Sequence, residues 1–273
     1  MAARTYLFVP GNRPERFAKA LACGADAVIL DLEDAVAADA KAAARHAIAD
    51  WSASASPSER ARVAVRINDA ASSAFADDLR LCRDAGIATV MLPKAETPAQ
   101  IAAVRAAVAE AEVLALVETA RGVARVEGLA ASAGVARLVF GTLDYALDLE
   151  LDIGDSCDAL VPAAHALALA SRLAGLESPV AGVTPQLDDE ARLLADLAWA
   201  RQHGQHAKLC IHPAQVGAIH RALAPAAAEI DWARRVLAAE AASPGAARLD
   251  GRMIDRPVVL QAQRTLQRSG DAA

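Results

Sequence analysis

The apolar run Val113–Val117 ends in a glutamate, Glu118, followed at once by Thr119, Ala120, Arg121 and Gly122. A second run, Leu138–Phe140, leads through Gly141 to Asp144, and a third, Val63–Val65, ends in Arg66. If these runs are strands, the first two are neighbours, about 4.8 Å apart. Carboxylates that close repel unless a proton or a cation sits between them. Two carboxylates, with the other positions left to water or substrate, suit Mg²⁺, whose ligand distances are about 2.1 Å. The plainer alternative is that each acid caps a helix or faces solvent. The sequence has no H-x-x-H, H-E-x-x-H or cysteine cluster, which argues against zinc.

Arg66 needs a partner after an apolar strand. It either forms a salt bridge to Glu33 or Asp34, or holds a substrate carboxylate or enolate oxygen. The stretch Asp31-Leu32-Glu33-Asp34 puts three acids in four residues. At a period of two, Asp31 and Glu33 share one side and Asp34 begins the loop. Glu33 and Asp34 are expected to orient metal-bound waters or Arg66. Lys94 ends another run, Thr89–Leu92 and Pro93. A desolvated lysine there allows Schiff-base chemistry, but the surrounding acids favour an ion pair that keeps the amine charged. The first loop, Phe8–Ala20, carries Arg13, Arg16 and Lys19, of which Arg16 and Lys19 are helix-spaced on one face. They are either solvated or a site for a phosphate-bearing cofactor.

The elements that position these residues follow from periodicity. Eight short β-branched runs (TYLFVP, DAVILDLE, RVAVRIN, ATVMLPK, EVLALVET, RLVFGTLD, SPVAGVT, AKLCIHP) alternate with alanine-rich helical stretches. Such alternation at about 25–30 residues per unit predicts an α/β fold of the (β/α)8 TIM-barrel type, whose chemistry gathers at the C-terminal strand ends. An open doubly wound sheet would favour a G-x-G-x-x-G first turn, and GNRPER is not one. Gly24 and Gly86 read as helix stops. Asp188 is expected to cap the helix after it, and Pro98 and Pro213 suit first turns. SASASPSER, residues 52–60, reads as a surface loop, and ARGVARVEGLAASAG as one helix. The barrel is expected over residues 1–224. A C-terminal helical extension, 225–273, is expected to cover it or to contact a neighbouring subunit.

Bulk properties narrow the class. The 273 residues suffice for one large barrel domain. The formal charge of −6 does not suggest a nucleic-acid partner, which wants a basic face, and it leaves room for a local anion pocket. Cys23, Cys82, Cys157 and Cys210 form no C-x-x-C pair and read as reduced thiols of a cytoplasmic protein. Neither a signal peptide nor a run of about 18 apolar residues is present, so no membrane role is expected.

Taken together, LFVPGNRPERFAKA, GADAVILDLEDAV with Lys41 and Arg45 after it, VRIN, LPK, LVETARG, FGTLDYALDL, KLCIHPAQV and LDGRMIDRPV resemble the HpcH/HpaI aldolase and citrate lyase beta-subunit family over nearly the whole chain. The resemblance implies a trimeric or hexameric TIM barrel. The activity implied is Mg²⁺-dependent cleavage of a 3-hydroxy-acyl-CoA thioester, of the malyl-CoA or citramalyl-CoA type, to a 2-oxo acid and acetyl-CoA. The metal ligands map onto Glu118 and Asp144, and the substrate-holding arginine onto Arg66. Coenzyme A contacts map onto Phe8, Lys19, Ile211 and His212, in and beyond the basic first loop. The aspartate of the MID motif is Asp255, implied to enter a neighbouring subunit's site as acid/base. A citryl-thioester lyase subunit served by an acyl carrier protein is the alternative within the family. A non-catalytic barrel that binds CoA thioesters is the alternative outside enzymes.

Overall fold

The computed structural model describes residues 3–154, 157–243 and 247–269. Eight parallel strands close into a barrel in chain order: β1 (Thr5–Pro10), β2 (Ala27–Asp31), β3 (Val63–Arg66), β4 (Thr89–Leu92), β5 (Glu112–Val117), β6 (Val135–Phe140), β7 (Val180–Ala181) and β8 (Ala207–Cys210). β1 closes the ring on β8 through Thr5–Lys208, Tyr6–Leu209 and Leu7–Cys210. This is the expected (β/α)8 TIM barrel. Among the described residues, no helix is long and apolar enough to cross a membrane.

Strand alternation sorts the side chains. Tyr6, Ile29, Ala64, Met91, Leu114, Leu116, Val139, Val180, Ala207 and Leu209 pack together as the barrel interior. Continuing each series by two residues toward the C-terminal mouth reaches Phe8, Asp31, Arg66, Glu118 and Ile211. The same parity that fills the interior with apolar groups therefore points polar ones into its mouth. The opposite end is closed by buried Arg137, whose Nη1 donates to Ala3 O and Tyr6 Oη and whose Nε donates to Ser178 O.

Four local expectations are corrected. β7 spans only two residues, Val180–Ala181, and is followed by Gly182, where a Cβ would stand 2.3 Å from Thr142 Oγ1 and 3.0 Å from Phe140 O. The stretch after Glu118 makes two short helices, Ala120–Ala124 and Val126–Ala130, broken at Arg125, where φ is −118° and ψ 12°. The SASASPSER segment is not all loop: a helix runs to Ser54, and Pro57–Arg60 form another turn started by a capping box between Ser56 and Glu59. Asp189, one residue beyond Asp188, caps the helix Glu190–Gln202 by accepting from Arg192 N. Gly24 and Gly86 take the left-handed conformation of helix stops, at φ 89° and 65°.

The described residues fall into two compact units, one ending at Ile219 and one beginning at His220. In the second, helices Ala227–Ala242 and Arg256–Ser269 bury Ala233, Val236, Ala262 and Leu266 with Ala247 and Ile254. A two-stranded antiparallel ladder, Arg248–Leu249 with Arg252–Met253, joins them through Asp250 and Gly251, both at positive φ. That dipeptide is a favoured two-residue hairpin turn. The Pro-Gly part of the link, residues 244–246, lies outside the described residues.

One buried acid ties the β3 loop to the helical layer. Asp78 accepts from Asn68 N at 2.8 Å, from Asn68 Nδ2 at 2.6 Å and from Arg45 Nη1 at 2.9 Å. Asp78→Ala would leave the buried Asn68 donors unpaired and Arg45 with only its 3.5 Å contact to Asp77, so the unfolding free energy is expected to fall by about 2–4 kcal/mol. Urea denaturation checks this, and a loss below about 1 kcal/mol, the worth of an exposed pair, would contradict it.

Candidate active site

The mouth of the barrel holds a chain of alternating charges. Asp31, the last residue of β2, lies in register with Arg66, the last of β3. Arg66 grips it in two parallel hydrogen bonds, Nε to Oδ1 at 2.7 Å and Nη2 to Oδ2 at 2.6 Å. Its remaining nitrogen, Nη1, lies 2.8 Å from Glu33 Oε2, out of line for a hydrogen bond, and 3.7 Å from Asp34 Oδ2. The guanidinium also stacks 4.8 Å from the centre of the Phe8 ring. Burial alone would lower the Arg66 pKa, but Asp31, Glu33 and Asp34 outweigh it and hold it raised.

Glu33 passes the chain to β4. Its Oε1 accepts from Lys94 Nζ at 2.8 Å. Burial raises the Glu33 pKa against the charges of Arg66 and Lys94. Burial works the other way on Lys94, yet the hydrogen bond and charge of Glu33 override it and hold the lysine above its usual range. Lys94 is therefore the ion-paired ammonium, not a Schiff-base amine. Its backbone is left-handed, φ 47°, and this aims its N–H at Glu118 Oε1, 2.8 Å away.

Glu118 directly follows β5 and is 2 % exposed. It fits only because residue 141 is glycine: a Cβ there would stand 2.5 Å from both Glu118 Cβ and Glu118 Oε2. Asp144 sits in the first turn of the helix Thr142–Asp148, four residues beyond the end of β6 rather than on the strand. Burial pushes the Glu118 carboxyl up to about 8, with the charges of Glu33 and Asp144 adding to it.

A cavity of about 360 Å³ opens between these groups, lined by Phe8, Asp34, Arg66, Glu118, Asp144 and Ile211 among others, over Leu116 and Leu209. Around it Asp31, Glu33, Glu118 and Asp144 face Arg66 and Lys94. With Asp34 also in the lining, acids outnumber these two cations, and a bound cation would offset part of the excess negative charge. Among the described residues no group of three or more His, Cys, Asp or Glu is placed to hold a metal. Glu118 and Asp144, two carboxylates lining one cavity, suit an ion that takes one or two carboxylates and completes its shell with water and substrate, as Mg²⁺ does.

The sequence-predicted residues divide. Phe8, Asp34, Arg66, Glu118, Asp144 and Ile211 share the cavity, and Glu33 stands behind Arg66. Arg13, Arg16, Lys19 and His212 are exposed and are not among its lining residues; Arg13 Nε pairs with Glu15 Oε1 at 2.6 Å, and His212 Nδ1 accepts from Ala214 N. Asp255 belongs to the second unit, where its Oδ1 accepts from Val258 N at the start of the last helix. Sequence reasoning did not single out Asp31, Lys41, Asn68 or Gly141 as site residues. Lys41 Nζ reaches Leu32 O, Glu33 O and Asn68 Oδ1 and so shapes the acidic loop. The signal for Asp31 was present: it has the same inward parity as Glu33 and pairs in register with Arg66.

The chain matches the family model described as HpcH/HpaI aldolase/citrate lyase over residues 4–213, and it belongs to that family. It is 38% identical over 276 residues to a citrate lyase subunit beta-like protein of Mycobacterium tuberculosis, covering 98% of this chain and 96% of that one. It is 32% identical over 270 residues to a (3S)-malyl-CoA thioesterase of Cereibacter sphaeroides, covering 97% and 94%. The crystal structure of the M. tuberculosis protein CitE in complex with magnesium, acetoacetate and coenzyme A superposes with a TM-score of 0.88 at 36% identity, covering 98% of both chains.

Because burial pushes the Glu118 carboxyl up to about 8, a cation held by Glu118 is expected to displace a proton on binding at neutral pH. Below pH 8, Mg²⁺ affinity is expected to fall about tenfold per pH unit, and above it to level off. Calorimetry in buffers of different ionisation enthalpy would show one proton released per Mg²⁺ at pH 7. Affinity independent of pH between 6 and 8 would contradict this.

Proposed function

We propose that the protein is a magnesium-dependent carbon–carbon lyase. It cleaves a 3-hydroxy-acyl-CoA thioester of the citramalyl-CoA or malyl-CoA type to a 2-oxo acid and acetyl-CoA by reverse Claisen chemistry. The reading rests on one observation: a single cavity at the barrel mouth gathers Glu118, Asp144 and Arg66 beside an apolar flank of Phe8, Leu209 and Ile211. The CitE complex with magnesium, acetoacetate and coenzyme A, whose fold this chain shares, supports it.

Held by Glu118 and Asp144, Mg²⁺ would supply Lewis-acid polarisation of the oxo-acid carbonyl. Arg66, clamped by Asp31 and Glu33 so that it cannot swing, presents fixed positive charge where the thioester enolate develops as the carbon–carbon bond breaks. The proton lost from the 3-hydroxyl is balanced by one delivered to the acetyl carbon. Asp255 of a neighbouring copy is the group assigned to that delivery, which makes the enzyme a homo-oligomer, a trimer or hexamer. Arg13, in the turn after β1, Arg16 and Lys19, in the short helical segments Pro14–Arg16 and Phe17–Ala22 that follow, and His212, after β8, are assigned to the CoA phosphates. Glu33 and Asp34 set the position of Arg66. The free thiols and the lack of a membrane-spanning helix among the described residues support a cytoplasmic site of action.

Purified protein offered malyl-CoA, both citramalyl-CoA isomers and citryl-CoA is expected to release glyoxylate or pyruvate with Mg²⁺ and nothing with EDTA. Release of free CoA thiol without oxo acid would replace the lyase with a thioesterase. Turnover only on a carrier-bound citryl thioester would replace it with the citrate lyase subunit. Arg66→Lys keeps the charge but loses the paired grip, and kcat is expected to drop about 10²–10³-fold. Asp255→Asn is expected to lower kcat while leaving Mg²⁺ affinity unchanged; unchanged kcat would remove Asp255 from the mechanism.

A further inference from the structure

Glu118 and Asp144 stand on different elements, so the distance between them depends on how those elements are joined. Glu118 is held by Lys94 N, 2.8 Å from its Oε1. Asp144 rides on the seven-residue helix Thr142–Asp148. A helix that short has little stability of its own, and its place is set by what it is fastened to. At its start the fastening is backbone: Gly141 N donates to Val117 O at 3.0 Å, the carbonyl just before Glu118. At its end the fastening is a side chain. Asp148, the last residue of the helix, accepts from Ala120 N at 2.7 Å, two residues after Glu118. The helix is therefore pinned at both ends to the segment that carries Glu118, and Asp144 lies between the pins.

The helix itself gains nothing from an acid at position 148. Asp144 and Asp148 are four residues apart and share a face, and like charges at that spacing weaken a helix. The gain lies across the gap. Ala120 opens the helix Ala120–Ala124, so its N–H has no partner within that helix. The hydroxyl of Thr119, which caps the same helix, accepts from Gly122 N instead. Asp148 supplies the acceptor that Ala120 N lacks locally. It is exposed and is not among the residues that line the substrate cavity.

We propose that Asp148 is a positioning residue for the metal site: by closing on Ala120 N it sets the separation of Asp144 from Glu118, and with it the preference for a small divalent cation. The inference rests on the reading that these two acids hold Mg²⁺. Mg²⁺ demands near-ideal octahedral geometry at about 2.1 Å, whereas Ca²⁺ accepts a looser shell at about 2.3–2.6 Å. Releasing the pin frees the end of the helix that follows Asp144, and the loss falls on Mg²⁺ more than on Ca²⁺.

The test is calorimetric titration of each variant with Mg²⁺ and with Ca²⁺ at one fixed pH. Asp148→Ala is expected to weaken Mg²⁺ binding about tenfold and Ca²⁺ binding by less than about threefold. Asp148→Asn keeps an acceptor oxygen without the charge and is expected to stay within about threefold of the wild type for both ions. Ala120→Pro removes the same bond from the donor side. The position is the first of its helix, which suits proline, and Thr119 before it is already extended, at φ −134° and ψ 157°. It is expected to match Asp148→Ala, and the two changes together should cost no more than either alone, because both break one contact. Equal losses for Mg²⁺ and Ca²⁺, an Asn variant as weak as the Ala variant, or additive losses in the double variant would each overturn the positioning role. A wild-type Mg²⁺ affinity that Glu118→Gln leaves unchanged would instead remove the metal reading, and the inference with it. If Ala120→Pro fails to fold, the two Asp148 variants decide alone.

Discussion

The buried pair between Asp31 and Arg66 is the constraint on which the mouth of the barrel depends. Neither charge could be left there alone, because removing one partner strands the other in a desolvated site. Once Arg66 is fixed, Glu33 has a cation to sit against, and Glu33 in turn holds the ammonium of Lys94. The left-handed turn at Lys94 then presents its backbone N–H to Glu118. Each group is placed by the previous one, across four strands, from β2 to β5. The chain ends on an acid with no cationic partner of its own. Burial, with the charges of Glu33 and Asp144 added to it, raises the Glu118 carboxyl, and a divalent cation bound there would offset that negative charge.

The barrel supplies this geometry through strand parity. Ile29 and Asp31, Ala64 and Arg66, Leu116 and Glu118, and Leu209 and Ile211 are successive inward positions on their strands. In each pair the first residue packs in the interior and the second reaches the mouth. A register slip of one residue would bury the charges among the helices and expose the core. Core packing and site geometry are therefore one specification, and the apolar layer beneath the site holds the polar layer in place. Gly141 adds a requirement of space, since any side chain there would occupy the volume of the Glu118 carboxylate.

The fold was legible because both periods were clean: eight short runs, alanine-rich helices between them, and polar residues at strand ends. Glu118, Asp144 and Arg66 were visible for the same reason. The partner of Arg66 was only half visible. The local pattern offered Glu33 and Asp34, but the register across β2 and β3 selects Asp31 for the bidentate contact. Asp144 was placed on a strand because FGTLD continues an apolar run; Gly141 ends β6 and starts a helix instead. The helix at Pro57 was hidden by a serine-rich composition, although Ser56 and Glu59 have capping-box spacing. The close approach of Thr142 to Gly182 lies between residues 40 positions apart, and no local pattern encodes it.

The central claim is that Glu118 and Asp144 hold one divalent cation at the barrel mouth. Crystals grown with Mn²⁺ in place of Mg²⁺, together with pyruvate, would test it through the anomalous signal of the metal. The account predicts one peak bonded to a carboxylate oxygen of each residue, with pyruvate completing the shell beside Arg66. A peak elsewhere, or an ion that contacts only one of the two acids, would contradict it.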